Sequence, residues 1–252
     1  STARVSVIGL EKQGKSTFVN AWIGQQCLPS DTQRCTWASS TLINDSSYRA
    51  TVRFLSREAF EKAVDELYRA LNLSRSTLRF PLDAAAKDRE EVAPLTGNPA
   101  FKDLEQLSKN YAVIAENLDR SPIEITEESI EAFNQRLFEW ISLREKDGRE
   151  NGKAYSVEHC DIHLPITKEN LPFSVDDLPG IDAPGNRAED MTWRNVENNA
   201  DIIVLVKNAF NNASMNSSEI KIWDKAKQSD SAIKLTDRLF VELNQADADK
   251  SE

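Results

Sequence analysis

Cysteine and histidine are scarce in this 252-residue chain, which has three cysteines and two histidines. Three irregularly spaced cysteines cannot build a disulfide framework, so we expect a reducing, cytoplasmic setting. Two histidines leave little choice for a Ser/His/Asp or Cys/His nucleophile set, and no such set is evident. Basic residues are in deficit, and the net charge of −10 argues against generic attraction to nucleic acid or anionic lipid. No apolar run approaches the roughly 20 residues that a membrane-spanning helix needs.

The most informative feature that is present is the pattern G-x-x-x-x-G-K-S, which runs from Gly9 to Ser16. A short β-branched strand precedes it and a predicted helix follows it, which is the context of a phosphate-binding loop. In such a loop the backbone N–H groups and the helix N-terminus face the anion. Lys15 would add a positive charge at the outer phosphates, and Ser16 would offer a hydroxyl to Mg²⁺.

Three further segments could complete a nucleotide site. Asp177 ends a predicted strand, so its carboxylate would reach Mg²⁺ through water, and Gly180 would present its backbone N–H to a γ-phosphate. Thr36 lies in a polar loop after the first helix, where its hydroxyl and carbonyl could join Mg²⁺ and the attacking water. Asp247 follows the last buried strand and could accept two hydrogen bonds from guanine, while Asn244 could hold the phosphate loop. Each segment alone would be an ordinary turn or surface residue, but the four motifs occur in the order of a GTPase domain.

The chain between these motifs changes its apolar spacing twice. Residues 39–43 and 49–55 are predicted to form a hairpin through the turn at 44–47. From 56 to 151 the spacing is helical, which predicts an inserted helical block. Its apolar stripes, assigned to packing, are Phe60, Val64, Leu67 and Leu71; Phe101, Leu104, Leu107, Tyr111, Ile114 and Leu118; and Ile130, Phe133, Leu137, Trp140 and Ile141.

Strand patterns return after this block. The predicted strands cover residues 154–166, 173–177, 201–206 and 239–243, and the apolar run at 201–206 is typical of a strand covered on both faces. We therefore predict an α/β fold: a three-layer phosphate-loop GTPase domain with a mostly parallel sheet. The helical insertion would lie between the two switch regions, which are the loop containing Thr36 and the segment after Asp177.

Together these segments resemble the dynamin-like large GTPases, and more closely their bacterial and fungal branch. The matching segments are Gly9–Ser16, Leu28–Thr36, Asp177–Ile181 and Asn244–Asp249. The resemblance covers the ends of the chain well and residues 56–150 poorly. It implies Mg²⁺-dependent hydrolysis of GTP to GDP by two G domains that meet face to face. In the full-length protein a helical stalk would couple hydrolysis to membrane remodelling, so any membrane contact would be peripheral and made by parts outside this chain.

The motifs and the resemblance together predict the site residues. The nucleotide-binding residues would be Gly9, Glu11, Lys12, Gln13, Gly14, Lys15, Ser16, Thr17, Asn244, Gln245, Asp247 and Asp249, of which Asp249 follows from the resemblance alone. The residues expected to serve hydrolysis are Lys12, Lys15, Thr36 and Gly180. The predicted metal ligands are Ser16, Thr36 and, through water, Asp177.

Three departures from the family pattern leave alternatives open. Lys12 stands where dynamins often have a Ser that orients water and a monovalent cation, and Gln245 replaces the usual Lys of the base-reading motif. Nothing after Asp249 supplies the last base-contacting loop, so we expect residues 1–252 to be a G domain that is incomplete at its C-terminal end. The alternatives are a nucleotide-gated interaction or scaffold module that binds GTP with little hydrolysis, and an ATPase of related fold.

The run from His159 to His163 also has the composition of a metal site. On a strand these two histidines lie on one face about 13 Å apart, with Cys160 on the other face, so the pattern disfavours a shared metal ion.

Overall fold

The computed structural model describes residues 2–10, 13–29, 38–145, 147–166, 172–181, 187–198, 200–208, 219–220, 224 and 235–244. Eight strands in these ranges form a single sheet. They are β1 (Ala3–Ile8), β2 (Ser39–Asn44), β3 (Tyr48–Phe54), β4 (Ile123–Glu127), β5 (Val157–Leu164), β6 (Phe173–Asp177), β7 (Ile202–Asn208) and β8 (Leu239–Asn244). The helices are α1 (Lys15–Ile23), α2 (Arg57–Ala70), α3 (Pro99–Lys109), α4 (Tyr111–Asn117), α5 (Ile130–Ile141) and α6 (Arg187–Asn198).

Side-chain caps explain where several helices begin. Ser56 accepts a hydrogen bond from the backbone N–H of Ala59 at the start of α2, and Ser129 accepts one from Ala132 at the start of α5. Asn98 caps α3 in the same way, and Pro99 fits the first helical position because that position needs no N–H donor. None of the helices in the described ranges is long and apolar enough to span a bilayer.

The sheet has the strand order β4-β3-β5-β2-β6-β1-β7-β8. Four neighbouring pairs are parallel: β1 with β6, β1 with β7, β7 with β8, and β2 with β5. The other three pairs are antiparallel: β2 with β6, and β3 with both β4 and β5. This architecture confirms the predicted α/β fold with a mostly parallel sheet.

The predicted hairpin between β2 and β3 is wrong. The two strands are consecutive and run in opposite directions, but β5 lies between them and pairs with both. The connection follows the end of β5, because the backbone N–H of Asp45 donates to the carbonyl of Leu164 at 3.0 Å. The turn residues at 44–47 are compatible with a hairpin, but whether a distant strand enters between two neighbours is decided by non-local pairing that a local pattern does not contain.

In its described residues, the block from 56 to 151 contains four α-helices, as the helical spacing predicts. It also contains one strand, which the helical spacing did not predict. The predicted stripes are largely buried, with Phe60, Phe101 and Phe133 fully inaccessible. Within the block, however, Ile123 to Glu127 forms β4 and pairs with β3. The alternation of isoleucine with polar residues at 123–126 is a strand pattern, but it covers only four residues and lies between two helical stripes.

Two apolar clusters cover opposite faces of the sheet. The larger cluster includes Val7, Val19 and Val175 and continues into the inserted block. The smaller cluster includes Ile8 and Leu205 and packs against Trp193 of α6. Because Val7 and Ile8 are successive strand residues, they face opposite sides of the sheet, and so α1 and α6 lie on opposite faces.

The position of β4 gives a stability prediction. Ile125 is 1% exposed on this strand, so replacing it with Ala should lower the free energy of unfolding by about 2–5 kcal/mol. Urea unfolding followed by circular dichroism measures this change. The matched control is Val113→Ala, since Val113 is 37% exposed on α4 and its truncation should change stability by less than about 0.5 kcal/mol. Equal effects of the two substitutions would contradict the burial of β4 in the sheet.

Candidate functional site

The first part of the site is the turn that connects β1 to α1. Gly14 has a φ of 83° and lies immediately before α1, a left-handed conformation that favours glycine. Gly9 has a φ of 151°, and a Cβ at this position would lie 2.5 Å from the carbonyl oxygen of Val206 on β7. Both glycines of the sequence motif are therefore required by backbone geometry. They allow the chain to turn from the end of β1 into the N-terminus of α1, the end of a helix that favours anions.

The Lys15 side chain folds back onto the residues that begin this turn. Its ammonium donates hydrogen bonds to the carbonyl oxygens of Leu10 at 2.7 Å and Gly9 at 3.3 Å, and the residue is 9% exposed. The positive charge is thus held among backbone carbonyls of the loop itself. An incoming polyphosphate would offer stronger, charged acceptors in place of those carbonyls.

Ser16 and Asp177 meet across two elements of the site. The Ser16 hydroxyl donates to Oδ2 of Asp177 at 2.9 Å, and Asp177 is fully buried at the end of β6. The parallel pairing of β1 with β6 places Val7 beside Asp177 and brings the carboxylate under the loop. A hydroxyl and a carboxylate oxygen at this separation are a donor set suited to Mg²⁺, which prefers hard oxygen ligands.

The segment after Asp177 is tied to the loop by its backbone. The N–H of Leu178 donates to the carbonyl of Val7, and the N–H of Ile181 donates to the carbonyl of Gly9, both at 3.3 Å. Gly180 lies between these two anchors and is buried. The structure therefore brings the predicted Gly180 alongside Gly9, on the same edge of the sheet as Lys15.

Other predicted residues are only partly described. Thr17 is exposed and Gln13 is half-buried at the start of α1. Asn244 ends β8 in register with Asn208 of β7, so its backbone lies at the edge where β7 also ends. Glu11, Lys12, Thr36, Gln245, Asp247 and Asp249 lie outside the described residues.

The direction of β2 is relevant to Thr36. This strand runs antiparallel to β6, and Ser40 pairs with Asp177. The chain therefore enters β2 from the edge of the sheet that carries Asp177. Thr36 precedes Ser39, the first residue of β2, by three positions in the sequence.

Sequence reasoning missed two buried polar features beside the site. Asp176 accepts a hydrogen bond from the Thr41 hydroxyl at 2.6 Å, although both residues lie in strands. Lys207, near the end of β7, forms a buried ion pair with Glu219 at 2.7 Å. The signal for Asp176 was present, because two successive acids on a strand must point to opposite faces. The ion pair of Lys207 had no comparable signal, since its partner Glu219 belongs to a separate segment of the chain.

The histidines of β5 each have a carboxylate of their own. Nε2 of His159 lies 3.0 Å from Asp161, and Nδ1 of His163 lies 3.2 Å from Asp45. The hydrogen bond with His159 lowers the pKa of Asp161 to about 2, with a further contribution from Arg53. In the part of the chain that the structure describes, no group of three or more His, Cys, Asp or Glu residues is arranged to hold a metal ion.

Comparisons with known proteins agree with the geometry. The dynamin family model matches residues 5–236. A bacterial dynamin-like protein of Nostoc punctiforme is 43% identical over 172 residues, which are 68% of this chain and 21% of that protein. The chain thus spans about a fifth of the length of this curated relative.

Two solved structures of an oligomerised bacterial dynamin pair have the same fold. One aligns with a TM-score of 0.58 at 14% sequence identity, and the alignment covers 91% of this chain and 31% of the solved chain. The other aligns with a TM-score of 0.51 at 13% sequence identity, and the alignment covers 96% of this chain and 39% of the solved chain. That pair provides a mechanism for the long-range sensing and tethering of membranes.

The family match extends over most of the chain and includes the phosphate-binding loop, Asp177 and Gly180. The resemblance predicted from the motifs is therefore confirmed, as is the phosphate-loop GTPase fold. The chain belongs to the dynamin family.

Proposed function

We propose that this domain binds GTP together with Mg²⁺ and hydrolyses it to GDP and phosphate. The observation that carries the proposal is the convergence of Lys15, Ser16 and Asp177 beneath a glycine turn that opens onto a helix N-terminus. A buried cation, a hydroxyl and a carboxylate at one edge of a parallel sheet are suited to hold a metal-bound polyphosphate. Membership of the dynamin family supports guanine as the base.

Each residue near the loop has a role in this proposal. Lys15 would exchange its carbonyl partners for the outer phosphate oxygens and stabilise charge that develops during transfer. Ser16 would turn its hydroxyl oxygen toward Mg²⁺, while Asp177 would bind the ion through water and orient that hydroxyl. Gly180 would donate its N–H to the γ-phosphate. Mg²⁺, when bound, would neutralise charge on the phosphate oxygens.

Hydrolysis requires positioning more than proton abstraction. No general base is assigned, and phosphoryl transfer proceeds mainly through alignment and electrostatic stabilisation. We assign alignment of the attacking water to Thr36 and Lys12. The Lys12 side chain would supply a positive charge where dynamins often use a monovalent cation. These two assignments rest on the sequence motifs.

The base would be read at the end of β8. Asp247 would accept hydrogen bonds from two guanine N–H groups, and Asn244 would brace the phosphate loop. Gln245 would stack its aliphatic stem on the base but lacks the charge of the usual lysine. We therefore expect a smaller preference for GTP over ATP than a lysine at this position would give.

Dimerisation and membrane action are proposals for the full-length protein. We propose that two G domains associate across their nucleotides, in keeping with solved relatives that are an oligomerised dynamin pair. Those relatives act in sensing and tethering membranes, and the regions beyond the G domain would give this protein a comparable membrane role.

A second candidate is a nucleotide-gated interaction module. Lys12 and Gln245 favour it, because both depart from the family pattern at positions that serve hydrolysis and base reading. In this alternative the domain binds GTP and changes its partner surface but scarcely hydrolyses the nucleotide.

Removing the Lys15 charge should weaken nucleotide binding. Lys15→Ala should lower GTP affinity by about 100-fold, because a buried charged hydrogen-bond donor is lost. Calorimetric titration with GTP and then ATP measures this effect and the base preference together. Lys102→Ala, which removes an exposed lysine of α3, is the control and should bind GTP as the wild type does. GTP affinity of Lys15→Ala that stays within about threefold of the wild-type value would contradict the assignment.

Ser16 should couple binding to magnesium. In the wild type, GTP affinity should be higher with Mg²⁺ than with EDTA, and Ser16→Ala should reduce this gain at least roughly tenfold because an oxygen ligand is lost. Fluorescent GTP-analogue binding with and without Mg²⁺ measures the difference. Ser76→Ala removes an exposed hydroxyl after α2 and should keep the full magnesium effect. An unchanged effect in Ser16→Ala would place the metal elsewhere.

Protein concentration should separate the two candidate functions. If G domains activate one another, single-turnover hydrolysis per protein should rise with concentration and then saturate, because the active form is a dimer. Phosphate release measured at protein concentrations below and above the dissociation constant of the dimer tests this expectation. Flat and negligible rates at every concentration, with GTP still bound, would favour the interaction module.

A further inference from the structure

Two successive acids of β6 serve opposite faces of the sheet. Asp177 points toward α1 and accepts the Ser16 hydrogen bond, so it belongs to the proposed metal site. Asp176 points toward α6 and is 1% exposed. A buried carboxylate is costly unless it is well paired, so the second acid needs an explanation of its own.

Asp176 is held by side chains from three other elements, which together form the Asp176 cluster. The Thr41 hydroxyl of β2 donates to Oδ1 at 2.6 Å, and the Asn195 amide of α6 donates to Oδ2 at 3.3 Å. The guanidinium of Arg4 on β1 lies 3.8 Å from Oδ1. Ser6 of β1 donates to the amide oxygen of Asn195 at 2.8 Å, which orients its nitrogen toward the carboxylate.

The register explains why these groups meet. Thr41 and Ser6 are the direct neighbours of Asp176 on the strands at either side, so three polar side chains form one row across the sheet. From α6, the side-chain amide of Asn195 accepts a hydrogen bond from Ser6 and donates one to Asp176. Both carboxylate oxygens accept a hydrogen bond: Oδ1 accepts from Thr41 of β2, and Oδ2 accepts from Asn195 of α6.

The two elements that Asp176 joins both follow predicted catalytic residues in the chain. β2 begins three residues after Thr36, and α6 begins seven residues after Gly180. The row of Asp176 is one residue below the row of Asp177, so the cluster lies directly beneath the proposed metal site. The backbone ladder fixes β2 to β6, so a shift of α6 relative to β2 would have to break the bond from Asn195, while the Thr41 hydroxyl orients the carboxylate that accepts this bond.

We propose that Asp176 is a positioning residue that sets α6 against β2 and thereby aligns the residues that precede them for GTP hydrolysis. This proposal rests on the proposed function. Asp176 lies on the face of the sheet opposite Lys15 and Ser16, so loss of its bonds should reduce the hydrolytic rate and leave nucleotide affinity nearly unchanged. A residue that only stabilised the fold would not separate these two quantities.

The test is a double-mutant cycle on the two bonds. Thr41→Val removes one donor with little change of shape, and Asn195→Leu removes the other. Each should lower kcat by roughly 10- to 100-fold, the effect expected of small misalignment, with GTP affinity within about twofold of wild type. The double variant should be no slower than the slower single variant, because the Thr41 hydroxyl acts by orienting the carboxylate that Asn195 binds and has no further effect once Asn195 is replaced. Thr51→Val is the control, since its hydroxyl bonds Glu124 on the same sheet with no link to α6.

Hydrogen exchange gives a readout that does not need turnover. Binding of a non-hydrolysable GTP analogue should slow exchange in both 39–44 and 187–198 of the wild type, and in 39–44 alone in each single variant, because the sheet ladder still holds β2. Wild-type kcat in both variants, or additive losses of kcat that follow losses of GTP affinity, would overturn the role of Asp176. If the wild type binds the analogue without hydrolysing GTP, the proposed hydrolysis fails. The exchange pattern alone then decides whether Asp176 couples the two elements.

Discussion

The parallel pairing of β1 with β6 is the constraint on which the site depends. It joins segments about 170 residues apart in the chain and places Val7 beside Asp177. The phosphate-binding loop leaves β1 one residue after this pair, so the loop and the carboxylate meet at the same edge of the sheet. The hydrogen bond from Ser16 to Asp177 then closes the site, since it connects the first turn of α1 to the end of β6. Without this register, Lys15 and Ser16 would lie in a glycine turn with no carboxylate of β6 beside them.

The same strand also connects the two layers of the domain. Asp177 faces the helix that follows the phosphate loop, and Asp176 faces α6 on the other side. Neighbouring carboxylates of one buried strand are therefore bonded to helices on opposite faces of the sheet, Asp177 to α1 and Asp176 to α6. The glycine turn adds a further connection, because Gly9 lies against the carbonyl of Val206 and leaves no room for a side chain.

Local patterns predicted those parts of the molecule whose determinants lie close together in the chain. Lys15 and Ser16 belong to one contiguous motif, and Asp177 ends a strand that its apolar pattern made visible. The helices of the inserted block were predicted because their apolar spacing repeats over several turns. The pairing of β5 between β2 and β3 could not be predicted in this way, since it depends on which distant strands compete for the same edge. The Asp176 cluster draws its members from four elements, and only the two successive aspartates at 176 and 177 are visible as a local sequence pattern.

We propose above all that Lys15, Ser16 and Asp177 form the site of a magnesium-bound guanine nucleotide. A crystal structure with Mg²⁺ and a non-hydrolysable GTP analogue tests it most directly. We expect Nζ of Lys15 to leave the Leu10 carbonyl and lie about 3 Å from a phosphate oxygen, and we expect the Ser16 hydroxyl to coordinate Mg²⁺. A nucleotide bound elsewhere, with Lys15 still on Leu10 and no metal at Ser16, would contradict it.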